Sequence, residues 1–190
     1  YRYMDVGSAK VTKEEMEGVP HHLIDVLDPK EPFDVVRFQT MAKEALKRIR
    51  DNGHIPIVAG GTGFYIQALL NDIDFTENDS DTGYREELEC LAAEKGASYL
   101  HDMLKEVDPE SAEAIHENNV KRVIRALEFY KKTGTKISEH NEAERQKESP
   151  YNFAYYVLNM DRERLYQRID LRVDLMMKNG LLAEVEKLKE

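Results

Sequence analysis

The sequence predicts an α/β fold in which a parallel sheet is flanked by helices and carries an all-helical insertion. Three observations lead to this prediction. Residues 34–70 follow the order helix, strand, glycine turn and helix; a second strand-like run, residues 152–159, precedes another helix; and no strand-like run interrupts residues 84–116. Strands that alternate with helices are typical of a parallel sheet, because the helix returns the chain across the sheet.

Residues 1–74 form the first half of the predicted core. Apolar side chains recur at helical spacing over residues 34–50, which predicts an amphipathic helix. The apolar run at residues 54–59 then predicts a short buried strand. The glycine turn Gly60-Gly61-Thr62-Gly63 follows this strand directly, and residues 64–70 are expected to be helical.

Residues 75–117 form the predicted insertion, which can extend to about residue 149. Short amphipathic segments follow one another in this part of the sequence, separated by Gly96 and by Asp108-Pro109. We therefore expect a small helical lobe rather than a continuation of the sheet.

Residues 118–190 are expected to return to the core. They contain a basic helix over residues 119–132, a polar and mobile loop over residues 139–150, the second strand, and a helix over residues 162–178. This last helix is expected to bury an apolar stripe that consists of Leu165, Ile169, Val173, Met176 and Met177.

Composition excludes several classes of protein. The formal net charge of −10 argues against a protein that coats nucleic acid non-specifically, because such binding depends on an excess of Lys and Arg. No apolar run approaches the roughly 18 residues of a membrane span.

The single cysteine, Cys90, fits a reducing compartment, so we expect a cytoplasmic protein. The histidines are scattered along the sequence, so we predict no metal site within this chain. The chain has no initiator Met and stops inside a helical pattern, so we expect a fragment.

The glycine turn is the strongest local candidate for a site. A strand that ends in glycines before a helix presents backbone N–H groups at the positive end of the helix dipole, and Thr62 adds a hydroxyl. This arrangement suits an anion such as phosphate. The alternative is a turn that only lets a strand and a helix pack closely. No Walker A sequence is present, so the turn alone identifies no nucleotide.

Cations cluster on two predicted helices. Lys121, Arg122 and Arg125 share one surface of the basic helix, which suits a phosphate or an RNA backbone, although a charged helix face is often only solvated. Arg168 and Arg172 lie four residues apart on the helix after the second strand, where an arginine could clamp a pyrophosphate. The alternative for this pair is salt bridging within the helix.

Four motifs in order resemble the bacterial tRNA dimethylallyltransferases, also called tRNA isopentenyltransferases. They are YRYMDVGSAK (1–10), VPHHLID (19–25), GGTGFY (60–65), and HENN (116–119) leading into RVIRALE (122–128). The resemblance covers essentially the whole chain. It implies a P-loop kinase-like fold and the transfer of a dimethylallyl group from dimethylallyl diphosphate to N6 of the adenosine 3′-adjacent to the anticodon. It also implies help from Mg²⁺, a tRNA anticodon stem-loop as partner, and a monomer.

The resemblance assigns roles to individual residues. Thr62 corresponds to a tRNA contact near the reacting base, and Arg85 corresponds to a second tRNA contact. The segment that matches a tRNA-interaction motif is Lys121, Arg122, Val123, Ile124 and Arg125. The candidates for the diphosphate are Gly60, Gly61, Lys10 and Arg172, with Arg168 as the alternative to Arg172. Thr62 and Arg172, or Arg168, are also the candidate catalytic residues.

The sequence also departs from the family pattern. It contains neither the P-loop that binds the diphosphate nor the Asp-Ser pair that supplies the general base, so we expect these 190 residues alone to be inactive. Three other readings stay open: an adenylate isopentenyltransferase that acts on free nucleotide, a non-catalytic RNA-binding fragment, and a relative of the nucleoside kinases. The helical insertion and the basic helix favour tRNA over a free nucleotide.

Overall fold

The computed structural model describes residues 1–75 and 82–189, with the backbone only at Thr82. Two compact units form, one from Tyr1–Leu69 with Tyr151–Glu190 and one from Leu70–Pro150. The helices of the described residues are α1 Val35–Asp51, α2 Gly63–Leu70, α3 Thr82–Lys95, α4 Ala97–Val107, α5 Pro109–Ala114, α6 Val120–Thr133, α7 Ile137–Gln146, α8 Arg162–Lys178 and α9 Leu181–Lys189. None of them has both the length and the apolar character that crossing a bilayer requires.

Helix α1 confirms the first predicted helix. The carboxylate of Asp34 accepts from the backbone N–H of Arg37 at 2.8 Å, which caps the helix start. Its buried face meets α2, since the Gln39 amide donates to the carbonyl of Ala68 at 2.7 Å. The rings of Phe38 and Tyr65 stack with their centroids 4.9 Å apart. Helix α2 therefore lies against α1 as an ordered support for the glycine turn.

The two predicted strands are not formed in the part of the chain that the structure describes. Residues 54–59 and 152–159 have no regular backbone structure, and their apolar side chains lie in solvent, with Ile55 89% and Leu158 96% exposed. A strand exists only through hydrogen bonds to a neighbouring strand, and no such neighbour is present among these residues. The predicted strands and the parallel sheet are therefore not confirmed among the described residues.

Helix α8 forms over the predicted residues but does not bury the predicted stripe. Leu165, Ile169, Val173 and Met177 are exposed, and Met176 is half-buried. The reason is again the missing layer: among the described elements α8 packs chiefly on α9, and no sheet covers its apolar side.

The second unit is a helical bundle built from α3 to α7. Its core contains Leu88, Leu100, Leu104, Val123, Ile124 and Leu127, which come from three different helices. The predicted insertion, residues 75–117, lies in this unit, apart from residues 76–81, which are outside the described residues. The basic helix, α6, also lies here rather than in the core, because its apolar stripe packs on α4 and α3.

The predicted mobile loop at residues 139–150 is largely a helix, α7. Its polar side chains are used in packing, which the hydrophobic pattern cannot show. Glu144 is buried, and it accepts a hydrogen bond from the backbone N–H of Asp74 at 2.8 Å. The Ser138 hydroxyl at the start of α7 donates to Asp108 at 2.7 Å.

Candidate functional site

The glycine turn leads into the start of α2. The carbonyl of Thr62 accepts from the backbone N–H groups of Tyr65 at 3.0 Å and Ile66 at 3.2 Å, so Thr62 begins the helix, and its side chain is exposed. A Cβ atom added to Gly60 or Gly61 would meet nothing within 4 Å. Among the described residues, no neighbouring element packs closely enough against Gly60 or Gly61 to require glycine there. The backbone of the turn is therefore accessible.

Lys10 lies in a closed ion cluster of the first unit. Its ammonium donates to the carbonyl of Tyr1 at 2.8 Å and contacts the carboxylates of Asp5 and Asp25, and its side chain is 13% exposed. Burial lowers the pKa of Lys10, but hydrogen bonds to Asp25 and Asp5 outweigh burial and raise that pKa. An ammonium has three donors, and all three are used. The role of Lys10 at a diphosphate stays a prediction and would require the exchange of one of these bonds.

The loop before Lys10 is held by α9. The Glu184 carboxylate accepts from the backbone N–H groups of Asp5, Val6 and Gly7 at 2.6, 2.7 and 2.8 Å. These bonds, first those from Gly7 and Val6, hold the pKa of Glu184 below its usual value. A Cβ on Gly7 would lie 3.1 Å from Leu181 Cδ1, so a larger residue here would require the Leu181 side chain to shift by a few tenths of an ångström. The sequence offers no signal for this contact, because its partners are nearly the whole chain apart.

Arg168 and Arg172 are exposed on α8. Neither forms an ion pair with a side chain in the described parts of the chain, so the salt bridges to Asp170 and Asp174 that the spacing allows are not made. Both guanidinium groups are therefore available to an anionic ligand, and the structure does not distinguish between them.

The basic helix α6 presents three exposed cations, Lys121, Arg122 and Arg125. Within residues 1–75 and 82–189, none of the three has an ion-pair partner. Val123 and Ile124, which belong to the same matched segment, are buried in the helical core. Their side chains do not reach solvent in this structure, and their part in tRNA binding stays a prediction. Their burial anchors α6 so that the three cations, the cationic patch, face solvent.

Arg85 on α3 contacts the same helix. Its Nε donates to Glu128 Oε1 at 3.0 Å and its Nη2 donates to Glu128 Oε2 at 2.6 Å. This hydrogen bond to Glu128 is the main cause that raises the pKa of Arg85 above its usual value. Beside it, Lys131 Nζ lies 3.6 Å from the ring centroid of Tyr84, a cation–π contact. The start of α3 is thus joined to α6 at two successive residues.

Two structural carboxylates of the helical unit were not predicted. Glu128 is the one acid of α6, and its partner lies 43 residues away. Asp108 is buried between α5 and α7, where it accepts hydrogen bonds from Ser111 and Ser138. Asp108 followed by Pro109 and Ser111 is a typical helix start, so the sequence indicates that Asp108 caps α5. It does not indicate the second contact, with Ser138 of α7.

No group of three or more His, Cys, Asp or Glu side chains is arranged to hold a metal ion in the ranges 1–75 and 82–189. Mg²⁺ commonly binds through substrate phosphates and water with only one or two carboxylates, so a diphosphate would supply most of its ligands.

Comparisons with known proteins identify the relatives of this chain. The tRNA dimethylallyltransferase of Lachnoclostridium phytofermentans is 62% identical over 190 residues, which are 100% of this chain and 61% of that protein. The enzyme of the same name from Bacillus cereus is 54% identical over 188 residues, which are 99% of this chain and 59% of that protein. The chain thus spans about three fifths of the length of these curated relatives.

Solved structures similar to this chain belong to enzymes of the same kind. A full-length tRNA isopentenylpyrophosphate transferase from Bacillus halodurans is 45% identical with a TM-score of 0.63, covering 100% of this chain and 58% of that one. A eukaryotic dimethylallyltransferase acting on tRNA is 34% identical with a TM-score of 0.84, covering 97% of this chain and 45% of that one. The model of the family described as IPP transferase matches residues 1–190. Because this match extends over every motif and site residue described above, the chain belongs to the IPP transferase family.

Proposed function

We propose that the protein is a tRNA dimethylallyltransferase, which transfers a dimethylallyl group from dimethylallyl diphosphate to N6 of the adenosine 3′-adjacent to the anticodon. The observation that carries the proposal is the family match over residues 1–190, with 62% identity to a relative of that name. The exposed cationic patch on α6 supports an RNA substrate, since it is a local excess of positive charge in a sequence of 190 residues whose formal net charge is −10. RNA contact then depends on this local patch rather than on the overall charge.

The reaction defines what the site must do. A bond forms between N6 and the allylic carbon, the bond from that carbon to the diphosphate oxygen breaks, N6 loses a proton, and diphosphate leaves. An exocyclic amine is a weak nucleophile, so the enzyme has to align it and stabilise the leaving diphosphate. The adenine also has to leave its stack to enter a buried site.

Residues of this chain fit parts of that task. Thr62 is exposed at the start of α2, where its hydroxyl can hold the incoming base. The open backbone at Gly60 and Gly61 and the unpaired guanidinium of Arg172, or of Arg168, suit the diphosphate. Mg²⁺ would enter with the diphosphate, and no described residue is assigned to it.

The longer protein is proposed to have the P-loop kinase-like sheet. Its strands would include residues 54–59 and 152–159, whose exposed apolar side chains need a covering layer. The P-loop and the general base of the family are not in these 190 residues, so the fragment alone is expected to be inactive. A cytoplasmic location and a monomeric state with the tRNA anticodon stem-loop as partner belong to the same proposal.

The first test compares acceptors. A full-length protein that contains this sequence is incubated with dimethylallyl diphosphate and either an anticodon stem-loop RNA or AMP. We expect prenylation of the RNA and little of AMP. Efficient prenylation of AMP would favour the adenylate isopentenyltransferase instead. RNA binding without any transfer would favour the non-catalytic module.

The second test measures RNA contact at the cationic patch. Replacing Arg122 and Arg125 by alanine should weaken anticodon stem-loop binding and reduce the slope of log K against log salt by roughly 1.4 to 1.8, because each lost phosphate contact removes roughly 0.7 to 0.9. The control is Lys105→Ala, which removes an exposed cation of α4 that forms no ion pair among the described residues. It should leave the slope unchanged. An unchanged slope in the double variant would mean that the patch is only solvated surface.

A further inference from the structure

The geometry points to Glu128 as a positioning residue for RNA binding. We propose that Glu128 draws Arg85 from α3 onto the cationic surface of α6, where the guanidinium of Arg85 continues the row that Lys121 and Arg125 begin. The inference rests on the proposed function, because it needs an anionic RNA backbone as ligand. This role explains why Glu128, whose negative charge alone would repel RNA, lies in a cationic surface.

The positions on α6 place these groups in one row. Residues 121, 125 and 128 are separated by four and three positions, which brings their side chains onto one face of a helix. Lys121 and Arg125 carry positive charge there, and the third position carries the carboxylate of Glu128. Through its ion pair, this position presents the guanidinium of Arg85 instead. The third place then carries a neutral ion pair whose more exposed member is the guanidinium of Arg85.

The hydrogen bonds leave one edge of Arg85 available. Its Nε and Nη2 are bound to the two oxygens of Glu128, so the guanidinium is held in a single plane. Its Nη1, with two N–H donors, has no acceptor among the described residues. The Arg85 side chain is 47% exposed and that of Glu128 is 18% exposed. The free edge can therefore reach a phosphate while the carboxylate is largely covered.

A carboxylate in a phosphate-binding surface requires an explanation. By charge alone, Glu128 should repel RNA, and its removal should tighten binding. Arg85 without Glu128 would be a long side chain free to sample many rotamers, and ordering it on RNA would cost entropy. The contact of Lys131 with Tyr84 fixes the same end of α3, so Glu128 only needs to orient the Arg85 side chain.

Repulsion of RNA by the Glu128 carboxylate would weaken binding, whereas ordering of Arg85 by Glu128 would strengthen it, and the test distinguishes the two effects by their opposite signs. In the full-length protein, we expect Glu128→Ala to weaken anticodon stem-loop binding about five-fold, although the variant is less negatively charged. Glu128→Gln keeps one acceptor for Arg85, so its affinity for the stem-loop should lie between those of wild type and Glu128→Ala. Glu86→Gln removes the same charge from an exposed position on α3 that has no hydrogen bond to Arg85, and it should leave binding unchanged or slightly tighter.

A double-mutant cycle completes the test. Arg85→Ala should reduce the salt slope by roughly 0.7 to 0.9, and adding Glu128→Ala to it should cause no further loss. Binding by Glu128→Ala and Glu128→Gln that equals or exceeds wild type, or additive losses in the cycle, would overturn the inference while leaving the proposed function intact. Wild-type protein that neither binds nor prenylates the stem-loop would overturn both. Thermal unfolding of each variant shows that the folded protein is compared.

Discussion

Replacing Asp108 with alanine tests how the helical unit is held together. Asp108 is 1% exposed, and its carboxylate accepts from the backbone N–H groups of Ser111 at 3.1 Å and Ser138 at 3.0 Å. It also accepts from the hydroxyls of the same two serines at 2.6 and 2.7 Å. One side chain thus caps the starts of both α5 and α7, whose first N–H groups have no partner within their own helices.

The expected loss follows from these four bonds. Alanine would leave the buried N–H group of Ser111 and the partly buried N–H group of Ser138 without an acceptor, at about 1 to 3 kcal/mol each, whereas the two hydroxyls can rotate toward other partners. We expect the free energy of unfolding to fall by about 4 kcal/mol. For a chain of this length, such a loss lowers the melting temperature by about 8 to 16 °C. Asp108→Asn keeps one acceptor oxygen and should lose about half as much.

The assay is urea unfolding followed by the helical circular dichroism signal. Asp102→Ala, an exposed aspartate on α4, is the control and should stay within about 0.5 kcal/mol of wild type. An Asp108→Ala variant within about 1 kcal/mol of wild type would refute the reasoning, and so would an equal loss in the control. Either result would mean that the two helix starts do not depend on this carboxylate.

The same variant has an expected pH dependence. Burial raises the pKa of Asp108, but hydrogen bonds from Ser111 and Ser138 outweigh burial and lower that pKa below its usual value. Because the pKa is lower in the folded state, the Asp108 carboxylate contributes its full stabilisation above its pKa in the unfolded state, about 3.9. This stabilisation is lost as the pH falls through the pKa of the folded state. The stability difference between wild type and Asp108→Ala should therefore shrink below about pH 4.

Two further predictions concern the first unit. Gly7→Ala should lower the free energy of unfolding by roughly 0.5 to 1.5 kcal/mol, because its Cβ would lie 3.1 Å from Leu181 Cδ1 and 3.2 Å from Glu184 Oε1 and would force these side chains from their preferred rotamers. Gly60→Ala meets open space and is the matched control in the same urea experiment; equal stability of the two variants would contradict the packing argument. Thr62→Ala should lower kcat for prenyl transfer about ten-fold while the Kd for RNA changes little. Wild-type kcat in that variant would remove Thr62 from the site.

Local signals in the sequence were sufficient for several features. The spacing of apolar residues and the cap at Asp34 predict α1, and the same spacing predicts α6, because a helix is held by bonds between residues four positions apart. The exposed position of Arg122 and Arg125 follows from the same periodicity. The family also follows from short motifs in order, which need no knowledge of the fold.

Contacts between distant residues were decided only by the tertiary structure. The pairing of Arg85 with Glu128, the capping of α7 by Asp108, and the hydrogen bonds that the loop at Gly7 donates to Glu184 join residues that no periodicity connects. Strands depend on distant partners in the same way, which is why apolar runs at residues 54–59 and 152–159 predicted a sheet that these residues do not form by themselves. A helix contains its own hydrogen bonds, whereas a strand or a buried ion pair is complete only when another part of the chain supplies its partner.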